Sequence, residues 1–128
     1  LMTMQTPLAR ARGAGASGGG IQHWRSQRYS ALVLLLSTAW LLWLGVSLAG
    51  ADYATAMLTM SSPINAGMAI LLAGTVFYHT QLGLQVVIED YVHTSWLQIA
   101  LQLAVRTFAA LGALLAIVSI LKISLSVN

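Results

Sequence analysis

No cysteine occurs in the 128 residues, which excludes a disulfide framework and any cysteine-ligated iron–sulfur cluster held by this chain. Charge is the next scarcity. Only 7% of residues are charged, against roughly a quarter in soluble globular domains, and the acids are Asp52, Glu89 and Asp90 alone. A chain so poor in charge belongs in lipid. Its basic residues are segregated, with Arg10, Arg12, Arg25 and Arg28 all preceding the first long apolar run. Arginines flanking an apolar span are a topology signal, so the chain is not expected to bind nucleic acid. The N-terminal stretch LARARGAGASGGG is basic and rich in small residues but has no apolar signal core. Residues 1–22 therefore read as a flexible tail on the cytoplasmic side, a presequence remnant being the lesser alternative.

What the chain does contain is apolar side chains, 58% of the total. From Tyr29 to Ala51 no residue is charged, a run of about 23 residues where roughly 20 suffice to cross a hydrocarbon core. Asp52 closes that run. Ser61, Ser62 and Pro63 suit a second helix start, because proline is tolerated in the first turn. The expectation is an all-α membrane protein, with three transmembrane helices at about residues 29–51, 63–88 and 95–121 in a single anchor domain, residues 23–128. The positive-inside rule puts the N-terminus on the cytoplasmic or matrix side. Trp24 and Trp96 then fall at that same interface, whereas Trp40 and Trp43 lie deeper and read as packing residues. The three apolar runs have the wrong pattern for amphipathic surface helices.

Polar groups inside a bilayer are costly, so the few present carry information. His79 lies ten residues from Glu89, or roughly 15 Å along a helix and so near the bilayer centre. An imidazole there either hydrogen-bonds to another helix or ligates a haem iron. Gly83, one turn on and on the same face, either lets a flat macrocycle approach or lets two helices pack closely. Asp90 lies close to three whole turns from His79, on the same stripe if the helix continues. Glu89, Asp90 and Tyr91 end the second span, where carboxylates are commonly just solvated; a phenol at that depth is also placed to donate to a quinone carbonyl. On the third span Gln98, Gln102 and Arg106 recur every four residues as a polar stripe. That stripe reads as helix association in preference to catalysis. A low-spin haem b normally takes two axial ligands, and His23 and His93 lie too far along the axis to join His79. The second ligand is therefore expected from another chain.

The string HTQLGLQVVIEDYVH, from His79 to His93, resembles the signature of the succinate dehydrogenase membrane-anchor family, in its smaller, D-type subunit. There a helix-two histidine is followed by glycine at the fourth position and by an Asp-Tyr pair eleven and twelve residues on. His79, Gly83, Asp90 and Tyr91 match. The stretch HWRSQRYSAL is similar to the start of the family's first helix, where an arginine is followed two residues later by Ser or Thr and then Ala; Arg28, Ser30 and Ala31 fill those places.

The resemblance implies an axial haem b ligand at His79, with Arg28 near the haem propionates or the quinone pocket. It implies that Tyr91 hydrogen-bonds ubiquinone, the substrate, and that Asp90 supports the pocket or its proton supply. It further implies three protein partners: a second, C-type cytochrome b anchor that shares the haem, an iron–sulfur subunit and a flavoprotein subunit. The setting would be the respiratory chain and tricarboxylic acid cycle, in the bacterial cytoplasmic membrane or the mitochondrial inner membrane. With no cysteine ligands and almost no soluble portion, the chain would be a subunit of the enzyme with no complete active site of its own. Another membrane cytochrome b, such as a fumarate reductase anchor, and a non-redox helical scaffold are the rival readings. Glu89, Arg25, Arg106, His23 and His93 are assigned no role.

Overall fold

The computed structural model describes residues 7–8 and 18–126. Of the flexible tail expected over residues 1–22, residues 1–6 and 9–17 lie outside the described residues. Beyond it come α1 (Gly18–Ser47), α2 (Tyr53–Ser61), α3 (Pro63–Tyr91) and α4 (Ser95–Ser126). Among the described residues there is no strand. Three of these helices, α1, α3 and α4, are long and apolar enough to cross a membrane, so the protein is an all-helical, three-span membrane protein. Thirty residues of α1 measure about 45 Å at 1.5 Å per residue, well beyond the roughly 30 Å hydrocarbon core.

That excess length explains where the helix limits differ from the hydropathy limits. Charge marks where lipid ends, not where backbone hydrogen bonding ends. Thus α1 begins at Gly18, within the expected tail, and carries Arg25 and Arg28 as helical residues. It stops at Ser47, short of Ala51, because Gly50 takes a positive φ of 83°, a conformation glycine adopts without steric cost. The connection expected after it is partly helical. Asp52 caps α2, accepting from the Thr55 backbone N–H at 3.0 Å, and so satisfies a donor that a helix start leaves open. Ser62 then ends α2 and caps α3, its Oγ accepting from Asn65 N at 3.3 Å, with Pro63 in the first turn as expected. At the other end α3 continues through Tyr91, and α4 runs past Lys122 to Ser126.

The packing suits lipid more than water. Among the described residues the buried apolar side chains are only Leu44, Ala66, Leu82 and Ile88, while leucines and valines along all three spans are exposed. With acyl chains as apolar as leucine, helices gain little by hiding leucine from them and meet instead through small and polar residues. On α1 the buried stripe is Ser30, Ser37 and Leu44, each seven residues from the last. Ser37 closes its own hydroxyl onto α1, donating to Val33 O at 2.6 Å and lying 3.3 Å from Leu34 O. Helix α3 is central, packed on α1 and on α4, and among the described residues α1 and α4 make no contact with each other. The three spans therefore form an open layer with two uncovered faces.

At one end α2 ties the layer together. Asn65 on α3 accepts from the Trp40 indole N–H at 3.2 Å and donates through Nδ2 to Thr59 O at 2.9 Å. Ser124 Oγ, near the end of α4, donates to Ser61 O at 3.3 Å. These bonds cross-link α1, α2, α3 and α4 at that end, in a region where an unpaired polar group costs more than it does in water.

Candidate functional site

His79 sits mid-way along α3, half-buried, on the side turned to α1. Its Nδ1 is 2.7 Å from Ser30 Oγ, and the same Oγ donates to Gln27 O at 3.0 Å. Ser30 is buried, only 5% exposed. The imidazole thus spends one ring nitrogen on the neighbouring helix. Among the described residues Nε2 takes no hydrogen bond. The two readings open to an intramembrane histidine, a partner on another helix or a metal ligand, are compatible here, because each needs a different nitrogen.

The surroundings continue that polar seam. A Cβ at Gly83 would stand 3.9 Å from Gln27 Nε2, so the glycine faces α1 and a side chain that α1 sends across. One turn back on α1 from Gln27 is His23. The His23 Nε2 and Gln27 Oε1 atoms are buried without a hydrogen-bond partner. His23, Gln27 and Ser30 therefore form a polar line along α1 that ends at His79, with the spacing of four and three residues that one helix face requires.

Asp90 and Tyr91 close α3 in its last turn. Because the helix runs unbroken from Pro63 to Tyr91, Asp90 shares the His79 stripe to within about 20° of rotation. Both are exposed, Tyr91 by 79%, and they lie about 17–18 Å along the axis from His79 at 1.5 Å per residue. The imidazole and the acid–phenol pair are separate places on one helix. Arg28 is a third: its guanidinium lies over the Trp24 ring, 5.1 Å from the centroid, on the exposed side of α1 and away from the Ser30–His79 contact.

The family model for the succinate dehydrogenase/fumarate reductase transmembrane subunit matches residues 2–121. The chain belongs to that family. A succinate dehydrogenase hydrophobic membrane anchor subunit from Rickettsia bellii is 33% identical over 113 residues, covering 88% of this chain and 90% of the relative. Proteins of the same description from Rickettsia typhi and Rickettsia felis are 29% and 31% identical, over 88% and 73% of this chain and 90% and 78% of their own. No solved structure matches. The resemblance drawn from the His79–His93 string is thereby met at the level of the family.

Within this succinate dehydrogenase-type anchor fold, several contacts were not foreseen from sequence. Ser30 fills the Ser/Thr place of the helix-one motif, yet nothing in one dimension pairs it with a residue 49 positions away. Gln102, read as part of a helix-three stripe, reaches Glu89 Oε1 at 3.3 Å, and Gln85 Nε2 donates to the same oxygen at 2.8 Å. Glu89 is thus an acceptor joining α3 to α4. Arg106 lies on the outer groove between those helices, beside Gly74, Tyr78 and Gln81. An apolar recess of about 330 Å³ lies along the same α3–α4 face, lined by Phe77, Thr80, Leu84, Val105 and Phe108. His93 is exposed in the short connection before α4. Among the described residues no group of three or more His, Cys, Asp or Glu is placed to hold a metal.

Proposed function

We propose that this chain is the hydrophobic membrane-anchor subunit of a succinate:ubiquinone oxidoreductase, holding haem b jointly with a second anchor and completing a ubiquinone site. The observation that carries the reading is the His79 imidazole, tethered through Nδ1 to Ser30 with Nε2 free of hydrogen bonds among the described residues. Iron-ligating histidines characteristically donate their other N–H to a hydrogen-bond partner, a role the Ser30 contact leaves open to Nδ1. The donor set fits: one imidazole, a glycine one turn on, and a helix layer left open for a partner that brings the second ligand. Held there, haem b supplies a one-electron relay inside the membrane.

Each residue has a distinct task. His79 would hold haem b through Nε2. Tyr91, exposed at the end of α3, donates a hydrogen bond from its phenol to a quinone carbonyl oxygen, and Asp90 beside it supports the pocket or its proton supply. Arg28 would serve the haem propionates or the quinone pocket. The N-terminal arginines put that end of the layer on the cytoplasmic side of a bacterial inner membrane. Iron–sulfur and flavoprotein subunits dock there, deliver two electrons from succinate, and ubiquinone takes these with two protons. The C-type cytochrome b anchor covers an open face of the layer.

The test is the complex purified in mild detergent from its own membrane, with a reduced-minus-oxidised spectrum and succinate:ubiquinone reductase activity measured together. A haem b band that copurifies with activity and is lost in His79→Ala is the expected result. A spectrum unchanged in His79→Ala removes His79 as ligand; absence of quinone reductase activity removes the oxidoreductase reading.

A further inference from the structure

We infer that Ser30 is a positioning residue for His79: it sets the imidazole tautomer and rotation so that Nε2, not Nδ1, presents the lone pair. This rests on the haem-ligand reading above and adds to it a residue of this chain that would touch neither iron nor macrocycle.

The argument begins with proton counting. A serine hydroxyl has one proton to donate and two lone pairs to accept with, whereas a backbone carbonyl only accepts. Ser30 Oγ lies 3.0 Å from Gln27 O and 2.7 Å from His79 Nδ1. With its proton on the Gln27 carbonyl, Oγ meets His79 as an acceptor, so Nδ1 carries the hydrogen. A neutral imidazole protonated at Nδ1 has its lone pair at Nε2. The ring is also held in rotation, because the bond is short and Ser30 is buried on a helix that packs against α3.

Ser37 is the internal contrast. It lies on the same α1 stripe and is fully buried, but both of its short contacts are to α1 carbonyls, Val33 O and Leu34 O. A serine that serves only close packing looks like Ser37. Ser30 makes the same backward bond and uses its remaining acceptor capacity across the helix boundary. The difference is the imidazole opposite it.

The experiment compares Ser30→Ala, Ser30→Thr, Ser37→Ala and His79→Ala in the assembled complex. It reads haem per complex, the rate of haem loss to an apoprotein scavenger, and the low-spin electron paramagnetic resonance signal with its midpoint potential. Partners that orient a metal ligand typically change metal affinity by about 10–100-fold when removed. Ser30→Ala is therefore expected to lose haem at least about 10-fold faster, with an altered low-spin signal and a raised potential, since a ligand whose N–H loses its acceptor is less basic. Ser30→Thr keeps the hydroxyl and restores these values, and Ser37→Ala leaves them unchanged. If His79→Ala loses the haem while Ser30→Ala matches the wild type in loss rate, signal and potential, the role of Ser30 is overturned and the ligand reading stands. If His79→Ala keeps its haem unaltered, both fall. Equal effects of Ser30→Ala and Ser37→Ala reduce Ser30 to packing.

Discussion

The ring of Phe77 on α3 fills the space in which a side chain on Gly112 of α4 would begin. A Cβ at position 112 would stand 2.7 Å from Phe77 Cζ and overlap the ring further at Cε1, so the two helices approach here because one residue has no side chain. In lipid this is how helices gain contact: a small residue on one admits a large one on the other.

Gly112→Ala should therefore push the ring aside and loosen α3 from α4, at about 1–3 kcal/mol, the usual range for overpacking. Thermal stability of the detergent-solubilised complex reads it. Phe77→Ala combined with Gly112→Ala should recover part of the loss relative to Gly112→Ala alone, since the overlap is gone. A Gly112→Ala protein as stable as the wild type would mean the ring turns away without cost.

Asn65 joins α3 to both α1 and α2 through Trp40 and Thr59. A double-mutant cycle of Trp40→Phe and Asn65→Leu should give a coupling of about 0.6 kcal/mol, and at most about 1.7 kcal/mol, as cross-helix hydrogen bonds in membranes do. A coupling indistinguishable from zero would show that the indole bond carries nothing beyond its packing.

Hydrogen bonds from Thr55, through its hydroxyl and its backbone N–H, hold the exposed Asp52 carboxyl below its ordinary pKa. A folded-state pKa below the unfolded one means the cap contributes fully above the unfolded value and is lost as pH falls through the folded value. The α2 amides should therefore exchange progressively faster on acidification in the wild type than in Asp52→Asn at the same pH. Asparagine caps a helix without titrating. Parallel pH profiles for the two proteins would exclude the carboxylate as the cause.

Tyr91→Phe keeps the ring and removes the phenolic donor. Succinate:ubiquinone reductase activity is expected to fall while succinate oxidation by an artificial dye is retained, because in the proposed function Tyr91 acts after succinate has been oxidised. Unimpaired quinone reduction would take Tyr91 out of the site.

The absence of cysteine makes orientation simple to read. A single cysteine introduced at Thr94 should react with a membrane-impermeant maleimide only after the cytoplasmic face is opened, and one at Asp52 should react from the opposite face. The reverse pattern would invert the topology.

The number of spans, their lipid setting and the positions of His79, Asp90 and Tyr91 were legible in one dimension. Hydropathy and the cost of a polar group in hydrocarbon are properties of each stretch of chain taken by itself. Helix limits were less legible: α1 passes through Arg25 and Arg28, and α2 forms behind the Asp52 cap, because backbone hydrogen bonding continues where lipid stops. The central place of α3 and the meeting of Ser30 with His79, Asn65 with Trp40 and Phe77 with Gly112 were decided only by the tertiary structure. The physical reason lies in the spans themselves. A helix that is apolar on every side has no face marked for burial. Its rotation and neighbours are therefore settled by small residues that permit approach and by the few hydrogen bonds that approach completes.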